Sequence, residues 1–185
     1  MSLLDIYVLG APVLRQTTTP VTAVTDNLRA LIADMFETMY AAKGIGLAAP
    51  QVGRTERVCV VDVDDQRYAL VNPEIIEREG NESGEEGCLS IPEIYGDVDR
   101  ATRIVVKALD ERGQPFELPA AELLARCIQH EVDHLHGKLF IDYLSVLKKR
   151  AVNAKWKKMR GDDKALTRQV TPETAARHHH RDDEL

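Results

Sequence analysis

Apolar residues recur three or four positions apart over residues 26–42, a spacing that predicts an amphipathic helix. The stripe is preceded by Thr25 and Asp26, which are both good helix caps, and it is followed by Gly44. The residues that form it are Leu28, Leu31, Ile32, Met35, Phe36 and Met39.

Two further helices are expected in the second half of the chain. One covers residues 120–135 and is stopped by Gly137; its inner stripe consists of Leu123, Leu124, Cys127 and Ile128. The other begins near Ser145, and its apolar side would contain Leu147, Ala151 and Ala154.

Short runs rich in β-branched residues predict strands between the helices. The expected strands are 57–63, 68–71, 75–79, 104–109 and 116–118. An Asn-Pro turn separates the second from the third, and the last two flank a hairpin turn. The predicted class is α+β, with antiparallel or mixed sheets packed around the helix at 120–135 and with helices in the N-terminal and C-terminal parts.

The length of 185 residues and the 44% of hydrophobic residues suit one core. We expect a single catalytic domain over residues 1–160 and a polar, flexible tail over residues 161–185, to whose three consecutive histidines, 178–180, no function is assigned. No apolar run approaches the ~20 residues of a membrane helix. Three cysteines are too few for a disulfide framework and indicate a reducing compartment, so a cytoplasmic location is expected.

The stretch Gln129-His-Glu-Val-Asp-His134 contains the pattern His-Glu-x-x-His. On a helix, His130 and His134 lie one turn apart on one face and can bind one divalent metal, while Glu131 lies close enough to take a proton from an activated water. A surface helix that happens to contain two histidines is the alternative. It is disfavoured because the neighbouring apolar stripe puts both imidazoles at or near the buried side, where unpaired rings are costly.

A third metal ligand is needed, and the residues after His134 do not offer one. Phe140 occupies the position at which a third histidine would complete a longer zinc motif, and Glu173 and Glu184 lie on no convincing helix. Upstream, Cys88 sits in a turn after Gly87, which allows a close approach of the backbone. Cys59 and Cys127 lie within apolar patterns, so a buried core residue is a better interpretation of each than a metal ligand. Cys88 with His130 and His134 would leave a fourth position open, as in catalytic sites.

The motifs Gly44-Ile-Gly-Leu-Ala-Ala-Pro-Gln51, Glu86-Gly-Cys-Leu-Ser90 and Gln129-His-Glu-Val-Asp-His134, in this order and spacing, resemble those of peptide deformylases. These metal hydrolases remove the formyl group from N-formylmethionine on new chains. The resemblance covers roughly residues 5–160 and implies that Glu131 is the general acid and base. It implies one Fe(II) per chain, which zinc, nickel or cobalt can replace.

The same resemblance implies how the substrate, an N-formylmethionyl nascent peptide, is bound. The backbone at Ile45 and Gly46 would pair with the extended peptide, and the Gln51 side chain with the Leu89 N–H would stabilise the formyl oxygen. Arg100 corresponds to a position near the peptide, with a solvated surface arginine as its alternative. The methionine pocket is expected to involve Ile45, Leu123, Cys127 and Ile128, each of which could instead be ordinary core. Gly87 is a further residue expected to contact the substrate.

Residues 145–160 contain seven Lys or Arg and no acidic residue, in a chain whose formal net charge is −6. A solvated helix face is the plain interpretation, and a contact with ribosomal RNA is the sharper hypothesis. Two other functions stay open at this point. One is an endopeptidase that uses the same His-Glu-x-x-His site, and the other is a catalytically silent relative that binds ribosomes or peptides.

Overall fold

A five-stranded antiparallel sheet separates the first two helices of the protein, as seen in a computed structural model that describes residues 2–171. The helices are α1 (Asp26–Ala41), α2 (Glu122–Leu135) and α3 (Val146–Arg160). The strands are β1 (Ile6–Tyr7), β2 (Gly46–Ala48), β3 (Val58–Val63), β4 (Gln66–Glu79), β5 (Glu82–Glu86), β6 (Gly96–Arg100), β7 (Arg103–Leu109), β8 (Pro115–Ala121) and β9 (Thr167–Arg168). The predicted α+β class is confirmed.

The large sheet has the strand order β2-β3-β4-β7-β8, so β2 and β8 are its edges. Strand β3 shows why the helices lie on opposite faces. Val58 and Val60 pack with α1, while Cys59, Val61 and Val63 pack with α2. A strand that is covered on both faces reads as a continuous apolar run, as this one does.

The first helix matches the prediction closely, and Thr25 caps it by accepting a hydrogen bond from the Leu28 N–H at 3.2 Å. The predicted turn at Asn72-Pro73 is wrong: β4 continues through it with a shift of register. Asn72 adopts a left-handed conformation (φ 52°), and its side-chain amide bonds both the N–H and the C=O of Val21 at 2.8 Å. Proline is tolerated in a strand at such a bulge.

Helix α2 begins two residues later than predicted. Ala120 and Ala121 still pair with β7, and the helix starts at Glu122. The prediction of Leu123 in the inner stripe is also wrong, because its side chain is 37% exposed. The buried face of α2 follows Leu124, Cys127, Ile128, Glu131 and Leu135, at helical spacing, and Leu123 falls outside it.

A smaller antiparallel hairpin, β5–β6, packs with residues 139–144 and with α3 in a third apolar cluster. The apolar side predicted for α3 is wrong: Leu147 is exposed, and the helix docks through Val152 and Trp156. Among residues 2–171, no helix has both the length and the apolar character that a membrane span requires.

The expected loose tail is shorter than predicted, because residues 161–171 include packed structure. Strand β9 pairs with β1, Val170 is buried in the core, and Arg168 donates a hydrogen bond to the Leu89 carbonyl at 3.0 Å. The remainder of the predicted tail, with histidines 178–180, lies outside the described residues.

Candidate metal centre

The structure brings Cys88, His130 and His134 together. Their donor atoms all lie within 4.8 Å of one another, with 3.2 Å between the two histidine Nε2 atoms and 3.3 Å between Cys88 Sγ and His134 Nε2. All three side chains are buried. One thiol sulfur and two imidazole nitrogens that converge in this way form a donor set suited to a divalent first-row metal.

Two elements create the convergence. Residues 130 and 134 are one turn apart on α2, so that their side chains leave the same face of the helix. Cys88 comes from the β5–β6 hairpin, two residues after the end of β5. The site therefore depends on how this hairpin is placed against α2.

Glu86, the last residue of β5, orients His130. Its Oε2 lies 2.9 Å from His130 Nδ1, which leaves the Nε2 of this ring facing the other two donors. Burial raises the pKa of Glu86, but the hydrogen bonds from His130 and Arg100 outweigh it and lower the pKa to about 2. A carboxylate held ionised behind a histidine ligand fixes the orientation of the ring and raises its basicity.

His134 differs from His130, because no carboxylate of residues 2–171 bonds its ring in this way. Its Nδ1 is buried and has no hydrogen-bond partner within residues 2–171. Burial, followed by the proximity of His130, lowers the pKa of His134 well below its usual value. The ring is therefore neutral, which is the form that binds metals.

Glu131 is fully buried beside these donors, and neither of its carboxylate oxygens has a hydrogen-bond partner in the described part of the chain. Burial, and then the charge of Glu86, raises its pKa well above the usual value. An orphaned buried carboxyl is costly unless the site uses it. Its presence beside three convergent donors fits a metal site in which a carboxyl group handles a proton.

Gly46 on β2 lies directly against this carboxyl group. A Cβ atom at this position would lie 2.3 Å from Glu131 Oε1 and 2.8 Å from Cys127 Sγ, so glycine is required by the close approach of β2 to α2. Ile45 is half-buried, and its carbonyl accepts a hydrogen bond from the Cys127 thiol at 3.5 Å. The edge of β2 thus meets the carboxyl group of Glu131 at Gly46.

Gln51 and Leu89 both lie at this site. Gln51 is buried; its Oε1 accepts a hydrogen bond from the Ala48 N–H at 2.8 Å, and its Nε2 donates to Ser90 Oγ at 3.3 Å and faces Cys88 Sγ at 3.6 Å. The amide is therefore fixed with its NH2 group toward the hairpin. Leu89 is buried next to Cys88, and its side chain packs so closely on Gly44 that a Cβ atom there would lie 2.6 Å from Leu89 Cδ1.

The other residues expected to contact the substrate differ in their burial and in their distance from the site. Cys127 is buried against Ile45 and Gly46, and Gly87 is buried beside Cys88. Leu123 is exposed on α2, and Ile128 is fully buried in the core between α2 and the sheet.

Arg100 is buried, so the alternative interpretation of it as a solvated surface arginine is wrong. Its side chain is 5% exposed; it donates to both oxygens of Glu86, at 2.8 and 3.0 Å, and to Asp133 at 2.6 Å. The guanidinium also stacks on the Tyr143 ring, at 4.7 Å from the centroid. The sequence reasoning missed Glu86, Asp133 and Arg126 as parts of this network. The available signal was an acidic residue two positions before the proposed cysteine ligand, since carboxylates commonly support histidine ligands.

Comparisons with known proteins agree on one family. The sequence model of the polypeptide deformylase family matches residues 3–150. A peptide deformylase of Alkalilimnicola ehrlichii is 53% identical over 163 residues, which are 86% of this chain and 92% of that protein. A peptide deformylase structure from Legionella pneumophila superposes with a TM-score of 0.83 at 45% identity, covering 86% of this chain and 96% of that one. One from Ehrlichia chaffeensis, in complex with actinonin, has a TM-score of 0.84 at 37% identity, with 87% and 99% covered.

Proposed function

We propose that Cys88, His130 and His134 hold the metal of this chain. The chain belongs to the polypeptide deformylase family and removes the N-formyl group from nascent peptides. The observation that supports this assignment is the convergence of three buried donors beside the unpartnered carboxyl group of Glu131. Residues 2–171 contain one such cluster, so we propose one metal per chain.

Fe(II) is our first choice for the metal, with zinc, nickel and cobalt as substitutes, since thiolate and imidazole ligands suit all of them. When bound, such an ion supplies a Lewis acid that activates water and polarises a carbonyl. The protein itself contributes a buried site, a His130 ring oriented by Glu86 and a carboxyl group for proton transfer.

Glu131 is the general base and acid in our proposal. One of its carboxylate oxygens accepts a proton from the water that attacks the formyl carbon. The same group then delivers this proton to the departing amine nitrogen, so that formate and a free methionyl N-terminus are released. Burial of the carboxyl group favours its protonated form between these two transfers.

Gln51 and Leu89 are proposed to stabilise the formyl oxygen as negative charge develops on it. The Gln51 NH2 group is held toward the hairpin because its Oε1 is engaged by the Ala48 N–H. Leu89 follows Cys88 directly, so its backbone lies beside the donor set. Donors that are fixed before the reaction favour the transition state over the ground state.

The peptide is proposed to pair with β2, through the backbone of Ile45 and Gly46. Strand β2 is an edge of the large sheet, and an edge strand can accept an extended peptide as a further strand. The methionine side chain would lie near Cys127 and Gly87, with Leu123 at the exposed rim. Ile128 lies in the core, and Arg100 is engaged with acidic side chains, so both support the site rather than touch the peptide.

The proposal is tested by measuring formate release from an N-formylmethionyl tripeptide. Protein prepared without oxygen and loaded with one equivalent of Fe(II) should release formate and leave the peptide bonds intact, and the metal-free protein should be inactive. The unformylated tripeptide is the control substrate. Cleavage of its peptide bonds would support the endopeptidase, and inactivity of protein shown to contain Fe(II) would support the silent relative. The comparisons support neither alternative.

We also propose that α3 contacts ribosomal RNA, which would place the enzyme in the cytoplasm where new chains emerge. Replacing Lys157 and Lys158 by Gln should weaken ribosome co-sedimentation and reduce the slope of log K against log salt by about one for each phosphate that the helix no longer neutralises. Replacing Lys107 and Lys164, which lie outside 145–160, removes the same charge and should change neither quantity. Equal effects of the two pairs would contradict a specific role of α3.

A further inference from the structure

The β5–β6 hairpin, which supplies Cys88, is tied to α2 by a second arginine. Arg126 lies one turn before His130 on α2, and its guanidinium reaches across to both strands of the hairpin. It donates to the Val98 carbonyl on β6 and to the Glu82 carbonyl on β5, each at 2.8 Å, and to Glu86 Oε1 at 3.1 Å. Its side chain is 12% exposed, so these bonds are largely shielded from water.

Gly84 explains how the guanidinium can lie so close to the strand. A Cβ atom at this position would lie 2.9 Å from Arg126 Cζ and 2.9 Å from its Nη2, and the Gly84 carbonyl is 3.4 Å from Nη1. Gly84 pairs with Val98 in the middle of the hairpin. A glycine inside a strand marks a close approach by another group, and here that group is the guanidinium of Arg126.

The contacts of Arg126 have a geometric consequence for the three donors. His130 and His134 are fixed to α2, whereas Cys88 moves with the hairpin, so the distance between thiol and imidazoles depends on the bonds between these two elements. Arg100 provides one tie, from β6 to Asp133 on α2. Glu86 provides a second, through its 2.9 Å contact with His130. Arg126 provides a third, and it also bonds the Glu86 carboxylate.

We propose that Arg126 is a positioning residue of the metal centre, which holds the β5–β6 hairpin, and with it Cys88, at the distance from α2 that the donor set requires. This inference rests on the proposed metal site. The residue touches neither the metal nor the substrate in this scheme. The guanidinium spreads its N–H donors over a rigid planar fork that engages both strands here, whereas a lysine offers its donors from a single nitrogen.

The experiment compares zinc release to a chromogenic chelator and the absorption spectrum of the Co(II)-loaded protein. In Arg126→Leu, zinc release should be about 10- to 100-fold faster, which matches the loss of metal affinity that is typical when a residue that orients a ligand is removed. The thiolate-to-cobalt absorption band should weaken or shift. Arg103→Leu is the matched control, because this arginine is 71% exposed and its ion pair with Glu79 is long, at 3.9 Å; the variant should behave as the unchanged protein does.

Gly84→Ala tests the same contact from the other side and covers the case in which Arg126→Leu does not fold. It should accelerate zinc release in the same direction, and the double variant should be no worse than the more affected single variant, because both changes disrupt one contact. Additive effects would overturn the proposal. So would a lower unfolding temperature of the metal-free Arg126→Leu protein with unchanged zinc release and Co(II) spectrum, since Arg126 would then serve the fold alone. If the unchanged protein binds neither ion, the metal site itself is refuted, and the role of Arg126 with it.

Discussion

Replacing Glu131 by Gln is expected to lower formate release by about 10²- to 10⁴-fold, the usual contribution of a general acid or base. The amide has nearly the same shape as the carboxyl group but cannot accept the proton of the attacking water. Both carboxylate oxygens are buried and unpartnered within residues 2–171, so the substitution removes no hydrogen bond of the protein. The measurement is the rate of formate release at saturating peptide, with metal content determined in the same samples.

The stability of the Glu131→Gln protein provides an internal control. Burial raises the pKa of Glu131, so either ionising or protonating this group costs folding free energy that an uncharged amide does not, and the metal-free variant should unfold at the same temperature as the unchanged protein or a higher one. Metal content should stay at one per chain, because Glu131 is not among the three converging donors. A variant that retains metal and full activity would show that the proton is carried by another group. A variant that loses the metal would show that Glu131 is itself a ligand.

Replacing Cys88 by Ala is expected to remove the metal and, with it, the activity. Two imidazoles would remain, and a structural or catalytic site of this kind normally needs at least three protein ligands. The decrease in metal affinity should exceed the about 10- to 100-fold that follows the removal of a residue that only orients a ligand. Equilibrium dialysis against zinc, followed by metal analysis, measures this difference directly.

Cys59→Ala is the matched control for Cys88→Ala. Cys59 is equally buried, on β3, and burial raises the pKa of its thiol well above the usual value, so it stays a protonated core residue. Its replacement leaves a small cavity and should lower stability without changing metal content. If Cys59→Ala loses the metal as readily as Cys88→Ala does, the effect comes from general disruption of the core and the assignment of Cys88 fails.

Several features of the protein could be predicted from its sequence because they depend on local spacing. The helix at 26–41 follows from an apolar stripe with a threonine cap, and β3 follows from a run of apolar residues. The pairing of His130 with His134 requires only that residues four apart share one face of a helix. The choice of Cys88 came from elimination along the chain and from the resemblance to deformylases, and the structure places its sulfur 3.3 Å from His134 Nε2.

Predictions from local sequence pattern failed where contacts with neighbouring elements decide the structure of a segment. The residues Asn72-Pro73 read as a turn, yet contacts of Asn72 with Val21 hold them inside one strand. Leu123 looks apolar enough for the buried face of α2, but the sheet covers a face that does not include it. The segment after residue 160 looks polar and loose, yet its residues 167 and 168 pair with the first strand, 160 and 162 positions away in the chain.

The sequence by itself determined the chemistry of the site: which residues could bind a metal, which carboxyl group could move a proton and which family the motifs resemble. Only the tertiary structure decided what holds that chemistry in place. The contacts that do so join residues 14 to 44 positions apart in the chain. They are those of Glu86 with His130, of Arg100 with Glu86 and Asp133, and of Arg126 with the hairpin. No period or motif specifies such pairs, since they exist only once the hairpin has packed against the helix.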